Sequence, residues 1–360
     1  MGMSELQMGL IGAGGAVVLG IFAFNKWQER RQRKLAEPPV PTEPQASGTA
    51  ARGGEARIEP VLGAATPRPV AARPAPTAGP RRVPPPLPAE VDERADCVVR
   101  VESIEPVQGS RLLQAAAQHL QGIAKPVRWF GFSDHDNRWE TLDGAPGHGY
   151  HWICAALQLV DRRGPVSEGD LSAFCGGLQR MCDIFMGIPS LPVKAEALDR
   201  ATELDRLCAG VDIQIGVNVV ARELPIPGTK LRGLAEAAGL ELGTDGCFHA
   251  RDDLGLSQFV LSNLEPVRFV AEEMRGLSTQ GVTLTLDVPR VADGVKVFDR
   301  MMTVAQQLAE ALNGAVVDDN RTPFGDKAAG LIRAQIEQFQ VQMGEQGIAP
   351  GSTLARRLFA

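Results

Sequence analysis

The adjacent carboxylates Asp318 and Asp319 are the residues of this sequence whose types suggest chemistry most directly. Two neighbouring carboxylates can divide the roles of general acid and general base between them. No histidine, cysteine or other nucleophile accompanies this pair, and the turn signal Asn320-Arg321 follows it at once. We therefore interpret the pair as the polar end of a strand, and we predict no catalytic residues.

Three histidines offer nitrogen ligands of the kind that transition metals bind. His135 precedes Asp136, and His148 and His151 lie in or beside the glycine- and proline-rich stretch 144–149. A structural zinc site needs four ligands held by short spacings, and these residues are not arranged in that way. We interpret them as part of a solvated hairpin, and we predict no metal site and no cofactor. A metal-dependent, membrane-tethered enzyme is the less favoured alternative.

A glycine-rich pattern near the start of the chain, Gly12 to Val17, resembles the turn of a dinucleotide-binding fold. That fold needs a strand that ends before the glycines and an acidic residue about twenty positions later. Here an apolar run continues through residues 8–24 without a break, and a basic cluster follows it. A helix that crosses the hydrocarbon layer needs about 20 apolar residues. The pattern therefore predicts a transmembrane helix at 6–25.

The basic segment 26–34 determines the predicted topology of that helix. Its cations are Lys26, Arg30, Arg31, Arg33 and Lys34. Positive charges mark the cytoplasmic side of a membrane helix, and they attract anionic lipid headgroups. We therefore expect a single-pass protein with its N-terminus outside and the rest of the chain in the cytoplasm. Small residues at Gly12, Ala16 and Gly20 form a face on which two such helices can pair.

Composition and charge characterise the next part of the chain. Residues 35–94 contain more than half of the 26 prolines and few large apolar residues, a composition that predicts a disordered linker. The 360-residue chain has a formal net charge of −6. A basic nucleic-acid footprint is therefore absent outside 26–34. The six cysteines show no metal-type spacing, which predicts reduced, buried thiols.

The chain after residue 94 has the pattern of an α+β fold. Residues 212–220 alternate between apolar and polar side chains, as in an antiparallel strand with one face under helices and the other exposed. A similar order of strands, helices and a hairpin occurs twice, so we predict two repeated units. The first, degenerate unit spans 95–209 and the second spans 210–345. Residues 346–360 are expected to form a flexible tail.

Three segments of the second unit resemble the ZipA family of bacterial cell-division proteins. They are Leu261–Leu264, Gly281–Pro289 and Gly314–Asp319, with a helix at 297–312 between the last two. Their order and spacing are similar to those of the family's C-terminal FtsZ-binding domain, and the likeness covers about residues 212–343. The anchor, the basic patch and the proline-rich linker resemble the family in general layout.

The resemblance implies a helix-backed sheet whose open face binds the C-terminal tail of FtsZ. Such a protein tethers FtsZ filaments to the bacterial inner membrane at midcell, with its N-terminus in the periplasm and without catalysis or a cofactor. By the same resemblance, the partner-binding positions are Gln214, Gly216, Ser262, Leu264 and Thr285. Of these, only Leu264 suits the hydrophobic groove of the family, so this face departs from the family pattern.

The first unit has no counterpart in the simple family plan. It covers the groove, stabilises the second unit, or offers a surface of its own through Trp129, Phe130 and Trp152. The leading hypothesis is a membrane-anchored division adaptor that binds FtsZ, with membrane lipid and possible self-pairing as further contacts. The alternative is a membrane-tethered scaffold for another division partner. Nucleic acid is not an expected partner.

Overall fold

The computed structural model describes residues 83–144 and 148–360. The predicted transmembrane helix at 6–25, the basic segment 26–34 and most of the linker at 35–94 lie outside the described residues. The chain divides into one unit at 1–84 and one at 85–360, and the description below concerns the second. Among the helices in the described part of the chain, none has both the length and the apolar composition needed to cross a bilayer.

An antiparallel five-stranded sheet organises the first half of the 85–360 unit. Its strands are β1 (Asp96–Gln108), β2 (Val127–Ser133), β3 (Arg138–Thr141), β4 (Gly149–Gln158) and, after the short hairpin of β5 (Val160–Asp161) and β6 (Gly164–Pro165), β7 (Gly187–Ser190). Their order in the sheet is β3-β2-β4-β1-β7. The central strand β4 is apolar at successive positions from Trp152 to Leu157, as in a strand buried on both faces.

Three helices cover one face of this first sheet. They are α1 (Gly109–His119), α2 (Glu168–Phe185) and α3 (Lys194–Val211). Helix α2 begins where the Ser167 side chain accepts a hydrogen bond from the Asp170 backbone N–H, which satisfies one of the free donors of the first turn. Between the helices and the sheet lies a core in which Ile153, Phe174 and Leu178 are almost completely buried.

An antiparallel six-stranded sheet organises the second half. The strands of this half are β8 (Gln214–Ala221), β9 (Ile226–Pro227), β10 (Leu240–Leu242), β11 (Phe248–Arg251), β12 (Ser257–Asn263), β13 (Ser278–Thr279), β14 (Gly281–Asp287) and β15 (Gly314–Val317). The sheet order is β10-β11-β12-β14-β8-β15, while β9 and β13 pair separately. The alternation predicted for residues 212–220 is present in β8, where Ile215, Val217 and Val219 are buried in the core.

The second sheet is also backed by helices on one face. These are α4 (Gly228–Ala237), α5 (Gly294–Leu312) and α6 (Asp326–Glu345), and a 3-10 turn (Val288–Arg290) precedes α5. Helix α5 packs on β8, β14 and β15 through a stripe that includes Phe298, Met301 and Leu308. It ends at Asn313, which has the left-handed conformation common at helix ends. The predicted α+β class with antiparallel sheets is confirmed.

Each half contains a β-hairpin, β2–β3 in the first half and β11–β12 in the second, and the two hairpins join their sheets through different strands. In the first sheet the earlier hairpin strand, β2, pairs with β4. In the second sheet the later hairpin strand, β12, pairs with β14. The two halves therefore share the order of elements without sharing the order of strands, and the predicted division into repeated units at 95–209 and 210–345 stays a prediction.

The C-terminal residues 346–360 are ordered, so the prediction of a flexible tail there is wrong. A short helix, α7 (Thr353–Leu358), begins where the Ser352 side chain accepts a hydrogen bond from the Ala355 backbone N–H. Leu358 and Phe359 are each only 1% exposed, and they belong to the first core. Arg357 pairs with the buried Asp96 of β1. The segment is ordered because its apolar residues pack against a half that is distant in sequence.

The end of the predicted linker is likewise ordered, so the disordered segment does not extend to residue 94. Residues 85–91, here called the strap, lie against the face of the first sheet that the helices leave free, where Leu87 and Val91 contact a small cluster that contains Phe130. The Val91 backbone N–H donates to the Pro88 carbonyl and closes a turn. Prolines lose little conformational freedom on ordering, so a few apolar contacts suffice to hold such a segment.

An ion network joins the two halves. Arg162, in the turn between β5 and β6, donates from Nη1 to Asp287 of β14 and from Nη2 to Asp212, just before β8, each at 2.6 Å. Burial by itself would lower the pKa of Arg162, but the hydrogen bonds and charges of Asp287 and Asp212 outweigh it and raise that pKa. These two ion pairs hold the start of β8 and the end of β14 against the first half.

Candidate functional site

The face of the second sheet that points away from its helices, here called the open face, is the candidate site. Strand register aligns Val260 of β12, Thr285 of β14 and Gly216 of β8 in one row across the sheet. The next row contains Ser262, Thr283 and Asn218. All but Asn218 are half-buried. The floor of this face therefore consists of glycine, hydroxyl and amide residues together with the apolar Val260, whereas the core side is uniformly apolar.

The five predicted binding residues lie on this face, with Gly216, Thr285 and Ser262 at its centre. Gln214 lies at one end, where its side-chain nitrogen is 3.4 Å from the Asp287 carboxylate. Leu264 lies at the other end, just after β12, with its backbone N–H bonded to the carbonyl of Gly281. The structure thus places three predicted residues together and two at opposite ends of the same face.

Two glycines shape the open face. A Cβ atom at Gly216 would lie 3.9 Å from Asp319 Oδ1 and from the Thr283 methyl group, so there is space above the backbone of β8 between these two side chains. A Cβ atom at Gly281 would lie 3.0 Å from Leu264 Cδ2 and 2.7 Å from the Val219 carbonyl oxygen. The missing side chain at Gly281 therefore makes room for Leu264 to lie across the strand end.

Hydrogen bonding on the open face runs across three strands. The Thr283 hydroxyl donates to Asn218 Oδ1 at 2.7 Å, and Asn218 Nδ2 donates to Asp319 Oδ1 at 3.0 Å. Ser262 Oγ lies 3.5 Å from the Thr283 carbonyl oxygen. Within the part of the chain that the structure describes, the Thr285 hydroxyl has no hydrogen-bond partner.

Asn218 and Asp319 are functional candidates that the sequence prediction missed. Asn218 continues the outward series of β8 after Gln214 and Gly216, and that alternation was the signal available in the sequence. Asp319 was interpreted with Asp318 as a strand end, but the two carboxylates have different roles. Asp318 accepts hydrogen bonds from the backbone N–H groups of Asn320 and Thr322 and so forms the turn, while Asp319 faces Asn218.

The electrostatics of Asp319 distinguish it from an ordinary surface carboxylate. Desolvation against the sheet raises the pKa of Asp319, the hydrogen bond from Asn218 opposes this rise, and the charge of Asp318 adds to it. A group whose charged form is disfavoured gains from a nearby cation. The rim of the open face therefore favours a hydrogen-bond donor or a positive charge beside Asp319.

The three histidines do not form a site with these residues. His135 and His148 are exposed, and His151 of β4 has its Nδ1 atom 3.2 Å from the Ser103 carbonyl oxygen. Across residues 83–144 and 148–360, no group of three or more histidine, cysteine or acidic residues is placed to hold a metal ion. The open face carries hydroxyl, amide and carboxylate groups that can donate and accept hydrogen bonds.

The aromatic residues proposed for a surface of the first half are largely covered. Trp129 is part of the core beneath the helices. Phe130, Cys154 and Ala156 lie on the opposite face, where the strap packs on them. Trp152 has the same alternation in β4 as Cys154 and is 8% exposed. The first sheet thus has an apolar outer face under the strap, here called the covered face.

Comparison with known proteins identifies the second half of the chain. Residues 213–335 match the family model described as "ZipA, C-terminal FtsZ-binding domain". Proteins named "Cell division protein ZipA" are similar to this chain. The protein of Marinobacter nauticus is 30% identical over 135 residues, which are 36% of this chain and 40% of that protein.

Two further relatives with the same name show the same extent of similarity. The protein of Vibrio cholerae is 30% identical over 125 residues, 34% of this chain and 43% of that protein. The protein of Ectopseudomonas mendocina is 28% identical over 152 residues, 41% of this chain and 56% of that protein. The chain thus spans about half the length of the curated relatives it matches. The resemblance predicted from the sequence is confirmed, and the second half of the chain is ZipA-like.

Proposed function

We propose that this chain is a membrane-anchored cell-division adaptor that binds the C-terminal tail of FtsZ on the open face of its second sheet. The observation that carries the proposal is that the residues matched by the FtsZ-binding family model form a helix-backed sheet with an accessible outer face. Binding by such a surface requires no catalysis and no cofactor. The partner and the binding site are inferred for this chain from its likeness to the family.

The open face suits a peptide that lies along β12, β14 and β8. The space above Gly216 leaves room for a group of the peptide, the Thr285 hydroxyl offers a hydrogen bond, and Leu264 offers an apolar contact at the strand end. Asp319 adds an acidic rim. Because the floor is more polar than a hydrophobic groove, we expect hydrogen bonds to contribute a larger share of the affinity, with truncation of one contact costing about 1 kcal/mol.

The membrane part of the proposal rests on the sequence before the described residues. The apolar run at 6–25 and the cations Lys26, Arg30, Arg31, Arg33 and Lys34 support a single-pass inner-membrane anchor with a cytoplasmic C-terminal part. We propose midcell localisation, contact of these cations with anionic lipid, and pairing of two anchors through Gly12, Ala16 and Gly20. We further infer that the first half is a diverged copy of the second, because both have the order strand, helix, hairpin, strand, helix, strand.

A titration tests FtsZ binding. The full-length protein in detergent micelles is titrated with a labelled peptide of the FtsZ C-terminal tail, and fluorescence anisotropy is measured. Saturable binding is expected, and Leu264→Asp should weaken it about tenfold or more because a charge then replaces the apolar contact.

The matched control is Leu254→Asp, at a residue that is 83% exposed in the β11–β12 turn, and it should leave binding unchanged. No binding at high micromolar peptide would remove FtsZ as the partner. If a fluorescent fusion nevertheless localised at midcell, the scaffold hypothesis with another division partner would take its place.

A further inference from the structure

The strap packs on the covered face as a ligand packs in a peptide-binding site. Pro85 and Pro88, three residues apart, are buried, while Pro86 between them is exposed. A polyproline segment repeats every three residues and so presents one side to a surface. Leu87 and Val91 add half-buried aliphatic contacts to Phe130 and its neighbours.

Two side chains of the covered face bind the backbone of the strap. Trp139 Nε1 donates to the Pro86 carbonyl at 2.5 Å, and Arg128 donates to the Glu90 carbonyl at 2.9 Å. Arg128 also lies over the Phe130 ring, with 5.6 Å between its Cζ atom and the ring centroid. An aromatic surface with an indole donor aimed at a proline carbonyl is a common way to recognise an extended proline-rich peptide.

The sequence of the strap occurs a second time in the chain with the same pattern. The strap begins Pro-Pro-Leu-Pro-Ala-Glu at residues 85–90, and residues 38–43 are Pro-Pro-Val-Pro-Thr-Glu. Each has two prolines, an aliphatic residue, a third proline, a small residue and a glutamate. The two stretches differ at the next position, where Val91 of the strap corresponds to Pro44.

We propose that the covered face is a docking surface for a proline-rich segment of a partner protein with the pattern Pro-Pro-aliphatic-Pro-small-Glu, which turns at its third proline as the strap does, and that the strap is its resident ligand. The surface supplies Phe130 for the aliphatic side chain, Trp139 for the second proline carbonyl and Arg128 for the carbonyl at the C-terminal end of the segment. It is separate from the open face, and its occupant differs in chemistry because the covered face is apolar.

Covalent attachment keeps the strap in place. The strap is only four residues from β1, and attachment through a short linker gives an effective concentration in the millimolar range or above. A free peptide of equal intrinsic affinity therefore competes poorly with it. A partner gains access when the strap is displaced, so weakening the strap should increase binding of a peptide in trans.

The test uses the full-length protein with the strap weakened by Leu87→Asp and Val91→Asp. Val40→Asp is included to remove the second copy of the pattern from the protein itself. A fluorescein-labelled peptide with the sequence of residues 37–45 is added, and its anisotropy is measured. Saturable binding is expected at least tenfold tighter than to the Val40→Asp protein with an intact strap. Trp139→Phe in the weakened protein should reduce the affinity about fivefold, because it removes one donor and retains an aromatic ring.

The controls distinguish binding that depends on the peptide sequence from nonspecific binding to a newly exposed apolar surface. The same peptide with Val40→Asp should not bind, and circular dichroism should show that the weakened protein keeps its fold. If the double strap variant does not fold, Leu87→Ala replaces it and should show an intermediate gain in affinity. Equal binding of the normal and the Val40→Asp peptides, or no gain in affinity when the strap of a folded protein is weakened, would overturn the proposal.

Discussion

The two sheets of this protein differ in the polarity of their outer faces and in whether those faces are covered. The first sheet has Phe130, Cys154 and Ala156 on its outer face and covers them with the strap. The second sheet has half-exposed serine, threonine and glycine on its outer face, together with Val260 and the buried Asn218. Contiguous apolar surface is costly when it faces water, whereas a polar sheet face is soluble by itself. An apolar outer face therefore needs a cover, while a more polar one can remain exposed and accessible.

We expect the largest change in stability at Phe130, which is 2% exposed, and it tests the difference between the two faces. If the covered face behaves as a core, Phe130→Ala should lower the free energy of unfolding by about 3–5 kcal/mol, as for other buried aromatic residues. Urea denaturation followed by circular dichroism measures this change. The corresponding substitution on the open face, Thr285→Ala, should change stability by no more than about 0.5 kcal/mol. Similar small losses at both positions would show that the strap does not make its face part of the core.

The second prediction concerns the carboxylate of Asp161, which lies 2.6 Å from Lys125 Nζ with both side chains buried. Burial alone would raise the pKa of Asp161, but hydrogen bonds from Arg163 and Lys125 lower it below its ordinary value. Asp161→Asn leaves the buried cation of Lys125 without its counter-charge and should cost about 3 kcal/mol at neutral pH.

The pH dependence of that loss has a definite sign. A lowered pKa means that the stabilisation by Asp161 is complete above the ordinary aspartate pKa, about 4, and is lost as the pH falls through the lower folded-state value. The difference between wild type and Asp161→Asn, measured by urea denaturation at a series of pH values, should therefore shrink below about pH 4. A difference that stays constant into that acidic range would contradict the assigned role of the charge.

The smallest predicted effect has the opposite sign and belongs to the open face. Desolvation raises the pKa of Asp319, with the Asn218 hydrogen bond opposing and the Asp318 charge adding to the rise. The charged form therefore opposes folding above the raised pKa, and this cost disappears below the ordinary aspartate pKa. Asp319→Asn should slightly raise the melting temperature at pH 7 and leave it unchanged near pH 3. A fall at pH 7 would show that the carboxylate stabilises the face.

Local sequence pattern was sufficient to predict much of the second half. Alternation in β8 and the capped α5 helix are short-range features, and each was recognisable without knowledge of its neighbours. The likeness to a family then supplied the positions from Gln214 to Thr285. Asn218 was missed although it follows the same alternation, because its hydrogen bond to Asp319 joins residues that are 101 positions apart.

The two corrected segments show where local pattern is insufficient. The strap is rich in prolines and the C-terminal residues 346–360 are rich in small and polar ones, so composition alone predicted a linker and a tail. Both are ordered by contacts to the first half. Trp139 binds the strap across 53 residues of sequence, and Arg357 binds Asp96 across 261. Such contacts depend on the folded surface that they join, which no window of neighbouring residues describes.

The sequence by itself therefore determined the α+β class, the antiparallel strands and the ZipA-like second half, because strand alternation and family motifs are properties of short stretches of chain. Only the tertiary structure decided which sheet face is open and which is covered. That decision depends on the packing of the strap against strands remote from it in sequence. Burial of the strap stabilises the protein only after the strands that it packs against have formed a sheet.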